Sequence, residues 1–292
     1  MITTTDLVKR YNGVAALGGV SLDVPAGSVF GLVGPNGAGK TTLLSILAGL
    51  RAPTSGTVSI AADPTRIAVL PDTPRFDPWL TGREVVELAG ALTSSDIGPD
   101  AVDRVIGQAG LADASDRRVG GYSRGMLQRL GVAATVVGDP EVMILDEPAS
   151  ALDPVGRRDV LDLVRRARGR ATVVFSSHIL TDVQEVSDRL GILHEGRLLF
   201  QGPAEELMAG RVGPTYLIRF RRGRDAAVPA LESEPWVDSV ETHGDQDLRV
   251  RIISLGEAER RLVGVLGGVE ASVISIRPEA PTLEDVFMEI IS

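Results

Sequence analysis

The chain has 292 residues, of which 43% are hydrophobic, a formal net charge of −9 and no cysteine. This length and composition suffice for one large or two modest cores, the acidic charge argues against a broad nucleic-acid-binding surface, and the missing cysteines exclude disulfide and thiolate chemistry. No stretch approaches the roughly eighteen apolar residues of a membrane span, and the start MITTTDLVKR lacks the apolar core of a secretory signal, so we expect neither feature.

Short apolar runs rich in β-branched residues alternate with amphipathic segments in the first part of the chain. Runs that are apolar throughout are typical of strands buried on both faces of a parallel sheet, and the alternation predicts an α/β domain. We expect strands at 28–34, 66–70, 141–146 and 171–177, helices at 83–92 and 159–168, and a hairpin at 190–200.

The segment GPNGAGKT, residues 34–41, matches the pattern G-x-x-x-x-G-K-[ST] and lies between a predicted strand and a helical segment. Its glycines allow backbone N–H groups to turn inward as an anion-binding nest, to which the following helix adds its positive N-terminal end. Lys40 is then expected to reach the β- and γ-phosphates of a nucleotide, and the Thr41 hydroxyl to bind Mg²⁺.

A second turn that opens a helix lies at 119–133, VGGYSRGMLQRLGVA. A hydroxyl-bearing turn at a helix start is also a place where anions bind. The chain therefore carries two candidate phosphate sites, and the second of them needs an explanation.

Two acidic residues, Asp146 and Glu147, close the apolar strand in VMILDEP. Ligands bind at the carboxyl ends of parallel strands, so we expect Asp146 to hold Mg²⁺ and Glu147 to act as general base on the attacking water. His178 follows another predicted strand, in FSSHIL, and is expected to contact the γ-phosphate and the same water. A solvated strand end and a structural histidine are the alternative readings of these residues.

The pattern breaks at 209–214, AGRVGP, where we place a boundary between domains at 1–210 and 214–292. Beyond it, the alternation of strand-like and helical segments follows the order βαββαβ, which predicts a small α+β domain of the ferredoxin-like type. A last helix, TLEDVFMEI, is expected to begin with Thr282 as its cap.

Taken in order, the motifs of residues 1 to 208 resemble the nucleotide-binding subunit of ATP-binding cassette (ABC) transporters. GPNGAGKTT is similar to the Walker A loop, VMILDE to the Walker B strand, SALDP with Asp153 to the D-loop, and His178 to the switch histidine. The resemblance implies a P-loop ABC cassette, with a parallel sheet core, an antiparallel β part and a helical subdomain, that hydrolyses ATP with Mg²⁺. The nucleotide-binding residues it implies are Tyr11 (stacked on adenine), Gly34, Pro35, Asn36, Gly37, Ala38, Gly39, Lys40, Thr41, Thr42 and Asp153.

YSRGM, residues 122–126, resembles the LSGGQ signature of this family, which caps the nucleotide held by a second subunit. The resemblance implies a head-to-tail homodimer with two ATP at the interface, and it assigns Ser123, Arg124, Gly125 and Met126 to nucleotide binding. The signature departs from the family pattern at three positions, with Tyr122 for leucine, Arg124 for the first glycine and Met126 for glutamine. In AVLPDTP, Asp72 replaces the usual glutamine. Asp72 still offers a carboxylate to Mg²⁺.

The end of the chain resembles the C-terminal region of ABC-2-type ATPases, which mostly serve export. This resemblance implies a cytoplasmic ATPase, peripheral on the inner face of the cell membrane, that drives a separate integral permease and binds no nucleic acid. Phe76 and Trp79 are expected to be exposed in the groove that receives the permease, with burial in the core as the alternative.

Two other functions stay open at this point. A soluble cassette ATPase that acts on ribosomes or DNA is disfavoured by the single cassette and the negative charge. A nucleotide-gated module without hydrolysis is disfavoured because the chain retains Lys40, Asp146, Glu147 and His178, although the altered signature keeps it open.

Overall fold

The computed structural model describes residues 1–93, 97–208, 215–279 and 283–291. The chain divides into two compact units, residues 1–204 and 205–292. The predicted boundary at 209–214 and the predicted helix cap Thr282 lie outside the described residues, so the domain limits stay a prediction. Among the described residues, no helix combines the length and the apolar character needed to cross a membrane.

Strands and helices alternate through the first unit, and each strand expected from the sequence is present. The strands are β1 (Ile2–Tyr11), β2 (Val14–Val24), β3 (Val29–Val33), β4 (Ser55–Ile60), β5 (Ile67–Leu70), β6 (Val142–Leu145), β7 (Thr172–Ser177), β8 (Arg189–His194) and β9 (Arg197–Gly202). The helices are α1 (Lys40–Leu47), α2 (Gly82–Thr93), α3 (Pro99–Gln108), α4 (Arg124–Val136), α5 (Pro154–Ala167) and α6 (Leu180–Val186), and α7 (Ala204–Met208) follows.

A six-stranded sheet forms the centre of this unit, in the order β5-β6-β7-β3-β8-β9. The first five of these strands are parallel, and β9 pairs with β8 as the expected antiparallel hairpin. All residues of β3 and β6 are buried, as expected for strands covered on both faces. Because β3, β6 and β7 are parallel, the segments that follow them meet at one edge of the sheet.

A three-stranded antiparallel sheet, ordered β2-β1-β4, corresponds to the antiparallel part implied by the ABC resemblance. Its apolar side chains share one core with β3, β6 and α1, in which Leu7, Phe30, Leu43 and Ile144 are buried. Full burial of such a side chain stabilises the fold by about 1.5–3 kcal/mol. This core fixes α1, and with it the loop before α1, against the parallel sheet.

The helices α2, α3 and α4 enclose a separate core, which is the helical part of the unit. α2 begins with a capping box, in which Thr81 N donates to Glu84 Oε2 at 2.8 Å and Glu84 N donates to Thr81 Oγ1 at 3.2 Å. Tyr122 is 9% exposed in this core, and its hydroxyl donates to Ala114 O at 2.7 Å. Burial raises the pKa of the Tyr122 hydroxyl. The tyrosine therefore anchors the turn before α4 to the helical part.

The helix α5 begins at Pro154, several residues before the start expected from its apolar stripe at 159–168. The reason is local: Asp153 caps the helix by accepting from Gly156 N at 3.1 Å, and proline at the first helical position has no N–H to leave unpaired. The apolar pattern of residues 159–168 predicted the buried face of α5 but not the residue at which the helix begins.

The elements of the second unit follow the expected order βαββαβ, with a further helix at the end. They are β10 (Thr215–Arg222), α8 (Arg224–Glu232), β11 (Val237–His243), β12 (Asp247–Ile252), α9 (Leu255–Gly267), β13 (Ser272–Glu279) and α10 (Leu283–Ile291). The four strands form an antiparallel sheet in the order β11-β12-β10-β13. Trp236 is buried in the core of this unit, and its Nε1 donates to Glu234 Oε2 at 2.8 Å.

Candidate functional site

Residues 34–39 form the loop between β3 and α1, at the carboxyl edge of the parallel sheet. Gly37 and Gly39 have φ values of 83° and 106°, a region that favours glycine. A Cβ on Gly39 would lie 2.6 Å from Ala16 O, and one on Gly34 would overlap Leu193 O. No side chain caps the N-terminus of α1. The loop is therefore shaped so that its backbone N–H groups and the helix end can receive an anion.

Lys40 is the buried cation beneath this loop. Its Nζ donates to Gly34 O at 2.7 Å and to Pro35 O at 3.3 Å, and it lies 3.7 Å from Glu147 Oε1. The side chain is only 6% exposed. The ammonium is thus held in a fixed position, where it adds its charge to the helix N-terminus.

Glu147 lies between two nitrogen-bearing side chains. Its Oε1 faces Lys40, and its Oε2 accepts a hydrogen bond from His178 Nδ1 at 2.8 Å. The backbone of Glu147 has φ of 48°, an uncommon conformation for a residue other than glycine, and strain of this kind clusters at functional sites. The strained turn after β6 places the Glu147 carboxylate beside the loop of residues 34–39, called the phosphate loop below.

Two residues that the sequence analysis did not single out hold this turn. Ser176 Oγ donates to Asp146 Oδ1 at 2.6 Å and accepts from Glu147 N at 2.8 Å. Gln128 Nε2, from α4, donates to Pro148 O at 3.0 Å. Ser176 and Gln128 are both buried, and a polar residue at the end of the otherwise apolar strand ATVVFSS was the one available sequence signal for the first of them.

A cavity of about 480 Å³ lies over the loop and brings most of the predicted residues together. The loop contributes residues 36–42, and four predicted side chains come from elsewhere: Asp72, Arg124, Glu147 and His178. Asp146 does not line the cavity; it is 5% exposed behind Glu147. The lining combines the glycine-containing loop with two cationic and two acidic side chains, a composition suited to a polyphosphate and a metal ion.

The turn before α4 has a different geometry from the phosphate loop. Ser123 caps α4 itself, because its Oγ accepts from Met126 N at 3.2 Å. A Cβ on Gly125 would lie 3.4 Å from Ala151 O, an ordinary contact distance, so the segment before α5 packs against the start of α4 without requiring glycine there. Ser123, Gly125 and Met126 do not line the cavity of their own chain, whereas Arg124 does.

Asp153 and Tyr11 are also outside the cavity lining. The Asp153 carboxylate pairs with Arg129 of α4 at 2.9 Å while it caps α5. Tyr11 lies beside two cations, 5.1 Å from Lys9 Nζ and 5.6 Å from the Arg51 guanidinium carbon, measured to the ring centroid. Stacking of Tyr11 on adenine and contact of Asp153 with a nucleotide stay predictions.

The two aromatic residues of the segment after Asp72 have different environments. Trp79 is 73% exposed, with the Arg118 guanidinium 5.7 Å from its ring centroid. Phe76 is half-buried and packs against the core of α2, α3 and α4, so its expected exposure was only partly correct. The segment therefore exposes the Trp79 side chain to solvent, while Phe76 packs against the helical core and holds the segment there.

A larger cleft, of about 730 Å³, lies at the opposite edge of the sheet, where β6 and β7 begin. Its lining contains three arginines and three aspartates, and none of the predicted site residues. That lining contains no glycine-containing loop at a helix N-terminus to receive an anion, so the cavity over residues 36–42 is the better candidate.

Comparison with known proteins finds relatives over the whole chain and a family model over the part that contains the phosphate loop. The family model described as ABC transporter matches residues 17–150. The chain is 33% identical over 297 residues to YxlF of Bacillus subtilis (strain 168), an uncharacterized ABC transporter ATP-binding protein, with 100% of this chain and 99% of the relative covered. It is 33% identical over 302 residues to BcrA of Bacillus licheniformis, a bacitracin transport ATP-binding protein, with 100% and 97% covered.

The fold is also similar to a solved structure, that of an ATP-binding subunit of an ABC transporter. The TM-score is 0.65 at 26% sequence identity, and the alignment covers 71% of this chain and 91% of the other.

Proposed function

Because this chain belongs to the ABC transporter family, we propose that it is the ATP-hydrolysing subunit of an exporter whose membrane-spanning part is a separate protein. The observation that carries the proposal is the position of Glu147, held between Lys40 and His178 and facing the phosphate loop. A carboxylate at this position is suited to act on a water beside a bound γ-phosphate.

In the proposed reaction, ATP binds with its β- and γ-phosphates in the loop of residues 34–41, where Lys40 and the N-terminus of α1 offset its charge. Glu147 accepts a proton from the attacking water as the new oxygen–phosphorus bond forms. The bond between the γ-phosphorus and its bridging oxygen breaks, and ADP leaves with the bridging oxygen. His178 keeps the Glu147 carboxylate oriented and contacts the γ-phosphate.

The donor set fits a magnesium ion. The Thr41 hydroxyl and the Asp72 carboxylate line the same cavity, and both are hard oxygen ligands of the kind that Mg²⁺ prefers. Asp146, whose Oδ1 is engaged by Ser176, would act from behind through a water. Bound with the nucleotide, Mg²⁺ would neutralise charge on the β- and γ-phosphates.

The proposed subunit acts as a head-to-tail homodimer. Ser123 and Gly125 do not line the cavity of their own chain, so their proposed ligand is the nucleotide of a second copy. Two copies would then share two ATP, and hydrolysis would weaken the interface by removing the shared γ-phosphates.

Export is proposed by analogy with the bacitracin transport relative, and the permease is proposed to be of the ABC-2 type. Trp79 supports a docking surface for that permease, since it is a large apolar side chain that is 73% exposed. The proposed location is the cytoplasmic face of the cell membrane, where the permease would hold the subunit.

The decisive experiment is co-purification. The tagged Glu147→Gln protein is produced in the native host. It is purified in the presence of ATP from detergent-solubilised membranes and, separately, from the soluble fraction. We expect a stoichiometric integral membrane protein to be recovered with it. Recovery from the soluble fraction with ribosomes or DNA would contradict the proposal and favour a soluble cassette ATPase.

Phosphate release by the wild type, measured with and without that membrane partner, tests hydrolysis itself. Absence of release under both conditions would favour the non-hydrolysing module. For the docking surface, Trp79→Ala should lower stimulation by the partner, whereas Leu50→Ala, which removes another exposed apolar side chain, should not. Equal stimulation in the two variants would argue against docking at Trp79.

A further inference from the structure

The short helix α6 begins two residues after His178 and carries a buried carboxylate in its first turn. This carboxylate belongs to Asp182, which is only 4% exposed. Arg157 of α5 donates to Asp182 Oδ1 from Nε at 2.8 Å and also from one of its terminal nitrogens. A carboxylate is almost never buried to this extent unless it is paired. The ion pair therefore explains how an aspartate can occupy this position, but the proposed reaction makes no use of it.

The position of the His178 ring depends on the backbone that carries it. The ring is exposed, and within the described part of the chain its single hydrogen bond is the one to Glu147 Oε2. The backbone leaves the buried strand β7 just before His178 and enters α6 just after it. Ser177 Oγ accepts from Ile179 N at 3.0 Å, so the link between strand and helix is short and bonded to itself. A shift of α6 would therefore move the His178 ring relative to Glu147.

Apolar packing holds α6 against the sheet but gives it little directional constraint. The helix has seven residues, and its buried apolar side chains are Val183 and Val186. A Cβ on Gly31 of β3 would overlap Val183 Cγ1, so this glycine lets the helix lie close to the sheet. Apolar contacts are non-directional, whereas hydrogen bonds require a definite geometry. The two donors from Arg157 to one carboxylate oxygen add the direction that the valines do not supply.

Two further ion pairs join the C-terminal end of α5 to α6 and to the turn after it. Arg165 pairs with Glu185 at 2.6 Å, and Arg168 pairs with Asp188 at 2.9 Å. All four of these side chains are partly exposed, and exposed pairs contribute little to stability. The pair with the buried carboxylate is also the one nearest to His178 along the chain.

We propose that Arg157 and Asp182 are positioning residues for ATP hydrolysis, because their ion pair fixes α6 and α6 fixes the His178 ring against the Glu147 carboxylate. This inference rests on the proposed function, in which His178 keeps Glu147 oriented toward the attacking water. Neither Arg157 nor Asp182 lines the cavity over the phosphate loop. The pair should therefore affect the rate of hydrolysis and not the affinity for ATP.

The test replaces the ion pair by apolar side chains in the full chain. Arg157→Met/Asp182→Leu leaves no buried charge without a partner, and such an exchange is often neutral for stability. Melting curves verify folding, and phosphate release at varied ATP concentrations gives kcat and KM. Glu185→Gln, which removes a surface pair of the same helix, is the matched control. Asp182→Asn, which keeps an acceptor oxygen for Arg157, is a second variant measured in the same way.

We expect the apolar double variant to lower kcat by about 10–100-fold, because the His178 ring is misplaced, while KM for ATP changes by less than about twofold. Asp182→Asn should cause a smaller loss of kcat, and Glu185→Gln should cause none. A wild-type kcat in the folded double variant would overturn the inference, as would a rise in KM that matches the loss in kcat. If the double variant does not fold, Asp182→Asn decides by the same criteria.

A His178→Ala background separates positioning from a general effect on the fold. If the pair acts through His178, the residual rate of His178→Ala should fall no further when the pair is replaced. An equal loss of kcat in both backgrounds would overturn the inference alone. A wild type that releases no phosphate would overturn the proposed function as well.

Discussion

The turns before α1 and α4 both contain glycine, but of these two helix starts only that of α1 is built to receive an anion. α1 has no side-chain cap, its preceding loop contains glycines at positive φ, and Lys40 is buried beneath it. α4 is capped by its own Ser123, which bonds to Met126 N. The start of α1 therefore leaves its first N–H groups without a side-chain cap, whereas the start of α4 already satisfies one of its own donors.

This difference fits the separate roles proposed for the two turns. A self-capped turn is stable without a ligand, and in the proposed dimer the Ser123 hydroxyl would be offered to a nucleotide that another copy holds. The loop before α1, in contrast, has no side-chain cap to offer the first N–H groups of its helix, which leaves them for a ligand. The predictions below test this contrast.

The largest expected effect is at the phosphate loop. Glu147→Gln should lower the rate constant of ATP hydrolysis by about 10²–10⁴-fold, because the general base is lost while the shape of the cavity is kept. Nucleotide binding should persist. Phosphate release and binding of a fluorescent ATP analogue measure the two quantities, and Glu87→Gln, exposed on α2, is the control. A Glu147→Gln protein that hydrolyses at the wild-type rate would mean that the base is a different group.

The next effect concerns the shape of that loop. Gly34→Ala should lower the free energy of unfolding by about 1–3 kcal/mol, because the added methyl group would overlap a backbone carbonyl, that of Leu193. Gly107→Ala, where a Cβ meets nothing within 4 Å and the residue lies inside α3, should instead stabilise by about 0.5–1 kcal/mol. Denaturant titration measures both. A free energy of unfolding for Gly34→Ala equal to or above that of the wild type would show that the loop tolerates the side chain.

Ser123→Ala tests the self-capped turn. We expect a cost of about 1 kcal/mol in the free energy of unfolding, since the cap of α4 is lost. Ser254→Ala is the matched control, because Ser254 occupies the cap position of α9 but makes no side-chain cap hydrogen bond. A monomeric Ser123→Ala chain should bind ATP as the wild type does. Weaker binding by that monomer would mean that the hydroxyl acts on its own chain's nucleotide.

The smallest expected effect is on stability at acid pH and concerns an ion pair of the second unit. Like the cap of α4, this pair is complete within the chain and needs no ligand. Arg219 donates two hydrogen bonds of 2.8 Å to Asp247 and holds the pKa of that carboxyl below its usual range. The stabilisation is therefore present above about pH 4 and is lost as the pH falls through the lower, folded-state pKa. Asp247→Asn should remove part of the acid dependence of unfolding, measured by denaturant titration from neutral pH downwards. An unchanged acid dependence would show that the pair does not contribute.

The sequence predicted the features that are coded locally. The phosphate loop is one continuous stretch of sequence, so its glycines and its lysine are neighbours in the sequence as well as in space. The buried parallel strands are apolar over their whole length. The βαββαβ order of the second unit also follows from the succession of short patterns. The start of α5 was missed because a cap and a proline, rather than the apolar stripe, decide where that helix begins.

The contacts that complete the site are not local, and only the tertiary structure decided them. Ser176 reaches Asp146 because β6 and β7 are neighbours in one register, and Gln128 reaches Pro148 because α4 packs against the turn after β6. Arg124 lines the cavity of its own chain because the packing of α4 brings it near residues that are distant in the sequence. The sequence by itself determined which chemistry the chain carries. The packing of distant elements determined which side chains share one cavity, because that depends on distances in space that a linear pattern does not contain.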